Sequence, residues 1–376
     1  MNTLDELFKK IERINDKRQQ GKVKHKMVDI VAIVFLSMLS NANEWDEIQM
    51  FAVMNEDIFR KYLELPNGIP SHDTINRVMG LIEPKELEKL SIYWNELLQR
   101  GEGEKIKKIL NIDGKTMRES GNKNQNAFHI VSAWSKDDGI CLGQTTVRNK
   151  ENEIIAIPEL LNKINIKEQI ITIDAMGTQK EIAKKIIEKK GDYVLALKGN
   201  QHDTHLNVLQ YFDDDEFLNK LQNNTENYKY TNEKARGQFE KREYYQTDNI
   251  DWLDTDNKWA GLKSIGMTKK TIKKDDKIIV EKRYYISSLP LEIDLFSKAV
   301  REHWSIESMH WQLDVTFRED NNSTLDKNAA VNLNILRKLA ISVLKLIDIG
   351  RKSSLKCKRL AVGWNPVKFL EMAMNI

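Results

Sequence analysis

From Met1 to about residue 100 the apolar positions fall on a helical period. Val28, Val31, Ala32, Phe35, Leu36 and Leu39 recur at three-to-four spacing, and Ile58, Phe59, Tyr62 and Leu63 repeat the pattern. Ser71-His72-Asp73-Thr74 ahead of Ile75, Val78 and Met79 predicts a helix start. Pro84 predicts the first turn of another helix, through Leu87, Leu90, Tyr93 and Leu97. Gly101-Glu102-Gly103-Glu104 reads as a linker. Beyond it short apolar runs predict strands at Ile109–Asp113, His129–Trp134, Ile140–Val147, Ile170–Asp174 and Tyr193–Leu197. The turn Lys136-Asp137-Asp138-Gly139 joins the second and third as a hairpin. One helix is expected where Ile154, Ile157, Leu160, Leu161 and Ile164 share a face, and another from about Thr178 to Lys190. Three strands, helix, strand, helix, strand imply an α/β fold with helices packed on a mixed sheet. Residues from about 203 to 295 break this rhythm with alternating segments such as Phe239–Thr247 and Arg283–Ser287, and read as a β-rich insertion. The expected division is a helical domain over 1–103, an α/β domain over 104–350 and a basic helical tail over 351–376.

Composition narrows the class. The chain has 376 residues, 40% hydrophobic, enough for a sizeable core without disulfide staples. Its two cysteines, Cys141 and Cys357, form no CxxC, which excludes a cysteine zinc finger and suits a reducing cytoplasm. The apolar run Val28–Leu39 is about half of the ~20 residues that a spanning helix needs. The first residues mix acids and bases and lack a signal-peptide core. The expectation is a cytoplasmic protein with no membrane partner. Lys and Arg outnumber Asp and Glu by 59 to 56, a net charge of +3, which by itself does not point to nucleic acid.

Chemistry concentrates at two places. Asp113 follows Leu110-Asn111-Ile112, and Asp174 follows Ile170-Ile171-Thr172-Ile173. Neighbouring strands ending in carboxylates would bring hard oxygen ligands to one ion such as magnesium; the plainer reading is that each Asp caps a turn. On the late helix His303, Glu307, His310 and Asp314 share a polar stripe, while Trp304, Trp311 and Val315 form an adjacent apolar stripe expected to pack. The spacing lacks the two histidines four apart of a zincin. No P-loop, GxGxxG or GxSxG is present.

Taken together, several motifs resemble a known family. They are Gly68-Ile69-Pro70-Ser71-His72-Asp73-Thr74, Asp113-Gly114-Lys115-Thr116-Met117-Arg118, Asp174-Ala175-Met176-Gly177-Thr178-Gln179, Leu197-Lys198-Gly199-Asn200-Gln201, His303-Trp304-Ser305-Ile306-Glu307 and Phe317-Arg318-Glu319-Asp320. The chain is similar, nearly end to end, to bacterial insertion-sequence transposases of the ISAs-one type, which include the H-repeat-associated proteins of the DDE superfamily. The resemblance implies an RNase H-like catalytic core with a β-rich insertion before the last acid. It implies Asp113, Asp174 and Glu307 as the catalytic, metal-binding acids, with magnesium, or manganese in its place. Related transposases carry a Tyr-Arg-Glu-Lys signature; here His303 stands four before Glu307 and Asp314 seven after it. Glu319 and Asp320 are nearby alternatives for the third acid. Lys115, Arg118 and Lys198 are candidate contacts to DNA phosphates, and His303 is a further candidate DNA-binding residue. Arg77 is the candidate on a recognition helix near Ser71–Met79 that reads terminal inverted repeats, and Trp252 and Trp259 are candidates to stack on an unpaired base. The implied activity is cutting DNA at element ends and joining the 3′-hydroxyls to target DNA, performed by a homodimer or larger oligomer near the nucleoid. An inactive or domesticated DNA-binding relative and an RNase H-like nuclease are the rival readings.

Overall fold

The computed structural model describes residues 3–99, 107–117, 127–147, 153–235, 238–253, 258–274 and 277–374. Arg118 lies outside them. The chain opens with α1 (Thr3–Ile11), α2 (Met27–Leu39), α3 (Trp45–Met54), α4 (Glu56–Phe59), α5 (His72–Leu81) and α6 (Pro84–Gln99). Every residue of α2 except Val28 is buried, as an apolar helix without a polar face requires. Among the described residues no helix is long and apolar enough to cross a membrane. Ser71 caps α5, its hydroxyl accepting from the N–H of Thr74. Ile75, Val78 and Met79 are buried and Arg77 is exposed.

Strands β1 (Ile109–Met117), β2 (Phe128–Ser135) and β3 (Ile140–Val147) form an antiparallel meander. Next come α7 (Glu153–Lys163), β4 (Ile170–Ile173), α8 (Lys180–Glu188) and β5 (Asp192–Leu197), with β4 parallel to β1 and β5 parallel to β4. The segment expected as a β-rich insertion begins with two helices, α9 (His202–Phe212) and α10 (Asp215–Gln222). It continues as β6 (Tyr228–Ala235), β7 (Gln238–Thr247), β8 (Ser264–Lys274) and β9 (Lys277–Ser287). These strands lengthen the sheet, because β9 pairs antiparallel with β5, Leu195 facing Ile286. The order among the described residues is β3-β2-β1-β4-β5-β9-β8-β7-β6. Pairing with β9 satisfies the backbone groups that β5 would otherwise leave on an open edge.

The chain ends with α11 (Ile293–Val315), α12 (Lys327–Leu346), α13 (Leu355–Trp364) and α14 (Pro366–Met374). One face of the sheet buries Leu110, Ile112, Ile171 and Ile173 against Ile157, Leu160, Ile182 and Ile186 of α7 and α8. The other buries Ile109, Ile170, Val194 and Tyr285 against Ile293, Phe296, Ala299 and Val300 of α11. A third core joins α2, α5 and α6 to α12, α13 and α14. The segment expected as a basic tail thus packs in the interior: Leu355, Val362, Leu370 and Met374 lie in the same cluster as Phe35 and Trp94.

A buried arginine pins this arrangement. Arg359 on α13 is fully buried. Its guanidinium donates to Met38 O at 2.9 and 2.6 Å, to Ala42 O at 3.3 Å, to Asn43 Oδ1 at 3.0 Å and to Thr316 O. It therefore satisfies the orphan carbonyls at the C-terminal ends of α2 and α11 together, where helix dipoles favour a cation. Arg359→Ala should lower the unfolding free energy by about 3 kcal/mol, since several buried carbonyls lose their donor. Urea denaturation checks this, and a loss under about 1 kcal/mol would show that water replaces the guanidinium.

Candidate active site

Pairing of β1 with β4 ends at Ile112 opposite Ile173. One step further along both strands come Asp113 and Asp174. Side chains alternate across a strand, so both aspartates fall on the face of Asn111 and Thr172, the face that α11 covers. β1 does not end at its acid but runs on to Met117 beside β2, Asp113 facing Ser132. Asp174 does end its strand, and its Oδ1 accepts from the N–H groups of Met176 at 3.1 Å and Gly177 at 3.2 Å. It thus shapes the turn as well as facing the cavity.

That cavity, of about 240 Å³, is lined by Asp113, Asp174, Lys198, Arg283, His303 and Glu307 among others. Glu307 comes from α11, and Lys198 stands exposed on the rim just past β5. A hydrogen-bond chain seats α11 here. Asn111 Nδ2 donates to Ser305 Oγ at 3.0 Å, and Thr172 Oγ1 donates to Asn111 Oδ1 at 2.7 Å. Thr172 has one hydroxyl proton, so His303 Nδ1, 2.8 Å from the same oxygen, must donate to it. The Nε2 of His303 then carries a lone pair. Burial also pushes the imidazole down to about 4. His303, a candidate DNA-binding residue, is therefore neutral here.

The acids are unmatched by bases. Burial first, then the charge of Asp174, push Asp113 up to about 7, with Glu153 and Glu307 adding to it. Burial also raises Glu307. His310 Nδ1 lies 3.6 Å from Asp113 Oδ2, but burial pushes His310 down to about 3 and its Nε2 has no hydrogen-bond partner. Glu153, which the sequence did not suggest for the site, is buried against the Nε2 of His129. A Cβ at Gly114 would collide with both of these side chains, which accounts for the glycine after Asp113. Three carboxylates on one cavity, none of them in an ion pair with a Lys or Arg among the described residues, are hard oxygen donors, and by that chemistry they fit a divalent cation. Among the described residues no three His, Cys, Asp or Glu side chains converge closely enough to hold one as they stand.

Two further expectations change. Trp259 is buried, its Nε1 donating to Thr204 Oγ1, and Trp252 stacks on Tyr211 at 5.0 Å; neither lines the cavity. On α11 the stripe expected to pack is exposed instead: Trp304 is 36%, Trp311 58% and Val315 50% accessible. Ile306, Met309 and Leu313 take the buried side.

Lys115, two residues beyond Asp113, was expected on phosphate. Its ammonium is instead held by Asp314 at 2.7 Å, Asp320 at 3.1 Å and Glu319 at 3.2 Å. Burial disfavours its charge, but these carboxylates outweigh burial and raise its pKa. Glu319 is buried, accepts from Asn334 Nδ2 at 2.8 Å and lies 3.5 Å from Arg337. Glu319 and Asp320 are thereby committed to Lys115, and Glu307 is the α11 acid on the cavity. Lys115→Met should destabilise the fold by about 3 kcal/mol by taking the shared cation from the buried Glu319 and from Asp314 and Asp320. It should leave the salt dependence of DNA binding unchanged; a shallower salt slope in a stable variant would restore the phosphate role.

Comparison with known proteins gives the family of the chain. Residues 104–343 match the family described as Transposase DDE domain, and residues 8–95 match one described as DDE_Tnp_1-associated. YncI of Escherichia coli O157:H7 is 40% identical over 96% of this chain and 93% of its own length. The H repeat-associated YhhI of E. coli strain K12 is 38% identical over 91% of this chain and 90% of its own. Both carry the word transposase in their names. A solved piggyBac transposase synaptic complex with hairpin DNA aligns over 99% of this chain and 80% of that one, at 12% identity and a TM-score of 0.37, too low to bear on the fold. Family match and relatives together show that this chain belongs to the transposases of the DDE domain family.

Proposed function

We propose that the protein binds the terminal inverted repeats of an insertion sequence, hydrolyses phosphodiesters at the element ends and joins the freed 3′-hydroxyls to target DNA. The observation that carries this reading is the register of β1 and β4, which sets Asp113 beside Asp174 on the face that also receives Glu307. In the same reading the run β3-β2-β1-β4-β5 is the RNase H-like core. Asp113, Asp174 and Glu307 are the residues that would hold magnesium, or manganese in its place. Bound there, a pair of such ions supplies Lewis-acid activation of the attacking oxygen and charge neutralisation on the leaving one.

The chain's own groups do the positioning. Lys198, exposed at the rim, is placed to meet the phosphate next to the reacting one. His303, neutral and fixed by Thr172, orients the α11 turn that bears Glu307 and offers its Nε2 lone pair to the cavity. The helical domain supplies end recognition through α5 and Arg77. Two ends must be cut together, so the active species is at least a dimer on DNA. A second reading is a relative that holds DNA without cutting it.

Transposition of a marked plasmid carrying the gene's native flanks separates the two. Asp174→Asn retains the acceptor oxygen for Met176 and Gly177 but removes the charge, so the variant should fold. Movement should fall by about a thousandfold or more. Equal movement by both proteins would remove Asp174 from the chemistry, and no movement by either would favour the second reading. Arg77→Ala should weaken binding to the flank DNA and reduce the slope of log affinity against log salt by about one. An unchanged slope in a gel-shift titration would remove α5 from end recognition.

A further inference from the structure

Beside the acid cavity lies a groove of about 660 Å³, between α11 and strands β7, β8 and β9. The two spaces share Glu307, Trp304, Arg283 and Tyr285, so the groove opens directly onto the acids. Its walls combine cations with aromatic rings. Arg242 and Lys270 face it across the single carboxylate of Glu240, which pairs with both. The Nη1 of Arg242 is buried there with no hydrogen-bond partner. Arg301 has only a long contact to Glu233, 3.7 Å, with both side chains nearly half exposed. Such a pair contributes little, so a phosphate can replace the carboxylate.

The rings differ in what covers them. The guanidinium of Arg283 lies over Trp304, 4.6 Å from its centroid, and also pairs with Glu281 at 2.7 Å. Trp311, two helical turns further along the same face of α11, is 58% exposed. Among the described residues no ring or cation stacks on it. An indole face is matched by the face of a base, which a duplex keeps stacked and a single strand presents. Duplex DNA offers only base edges and phosphates to such a groove.

We propose that this groove takes a short run of unpaired nucleotides of the DNA strand whose phosphate lies at the acids, a base stacking on Trp311 and phosphates meeting Arg242 and Arg301. The inference rests on the transposase reading and adds to it where the strand leaves the site. It moves base stacking from the β7–β8 connection holding Trp252 and Trp259 to the helix that carries Glu307.

Fluorescence anisotropy of the full chain with a short 5′-labelled oligothymidylate, and with a blunt mixed-sequence duplex, tests this. Trp311→Ala should weaken oligothymidylate binding about tenfold, the loss of one stacked base. Trp311→Phe should hold it within about threefold. Duplex affinity should change by less than about twofold in either variant. Trp311 is exposed, and an unchanged thermal melt confirms that the Ala variant folds. Unchanged oligothymidylate affinity in Trp311→Ala overturns the proposal, as does an equal loss for both DNAs. Thymidine monophosphate displacing the oligomer at the oligomer's own concentration also overturns it, because the groove would then be a small-molecule site. Selective loss of single-strand binding, in a protein that moves no DNA, keeps the groove and removes the transposase reading. Intact binding in Trp311→Ala, with a wild type that transposes, does the reverse.

Discussion

The seating of α11 across β1 and β4 is the constraint on which the site depends. Its first turns complete the core under the sheet through Phe296 and Ala299, and its later turns enter the helical core through Ile306, Met309 and Leu313. Between these two apolar anchors the helix must cross strand positions occupied by Asn111 and Thr172. The hydrogen-bond chain Ser305–Asn111–Thr172–His303 covers that crossing, leaving none of these buried polar groups stranded. Glu307 follows His303 by one turn, so its place over the aspartates is a consequence of this docking. Arg359 fixes the far end of the same helix through the carbonyl of Thr316.

Buried charge ties the helical core to the sheet from the other side. α12 carries Asn332, Asn334, Arg337 and Lys338, all buried. Asn332 donates to Met79 O at 2.8 Å and Ile82 O at 2.9 Å, closing the end of α5. Lys338 donates to Ser132 Oγ and Gln144 Oε1, each at 2.7 Å, on β2 and β3. Polar contacts of this kind demand one geometry, where apolar packing alone tolerates several. α5 and the β2–β3 hairpin, which flanks the strand bearing Asp113, are thus tied to one element, α12.

What the sequence makes legible follows from local rules. Burial of α2, the β2–β3 hairpin and the adjacency of Asp113 and Asp174 rest on apolar runs, turn residues and strand order, which the chain carries locally. What it hides depends on partners distant in sequence. The tautomer of His303 is set by Thr172, 131 positions away. The fate of Lys115 is set by Asp320, 205 positions away. The stripe Trp304, Trp311 and Val315 looks like a packing face because periodicity reports apolarity, not what covers it. Helices α9 and α10 were missed because their polar sequence, acid-rich at Asp213-Asp214-Asp215-Glu216, gives a weak apolar period beside the alternating strands that follow.

Lys115 also bears on the charge of the cavity. It lies two residues from Asp113, on the same face of the same strand, and an ammonium there would neutralise the aspartate pair most directly. Three other carboxylates hold it instead. His303 and His310, close by, are kept neutral by burial. Asp113 is left near 7 by its own surroundings, a state that a structure selected only for stability would relieve with a base. Lys198 stands exposed at the rim and Arg283 is shared with Glu281, so no base is paired with Asp113 or Asp174 and the pair keeps an excess of negative charge. That is the electrostatic condition a divalent cation needs, and it lies beside a groove where Arg301 is held by a long, exposed contact to Glu233.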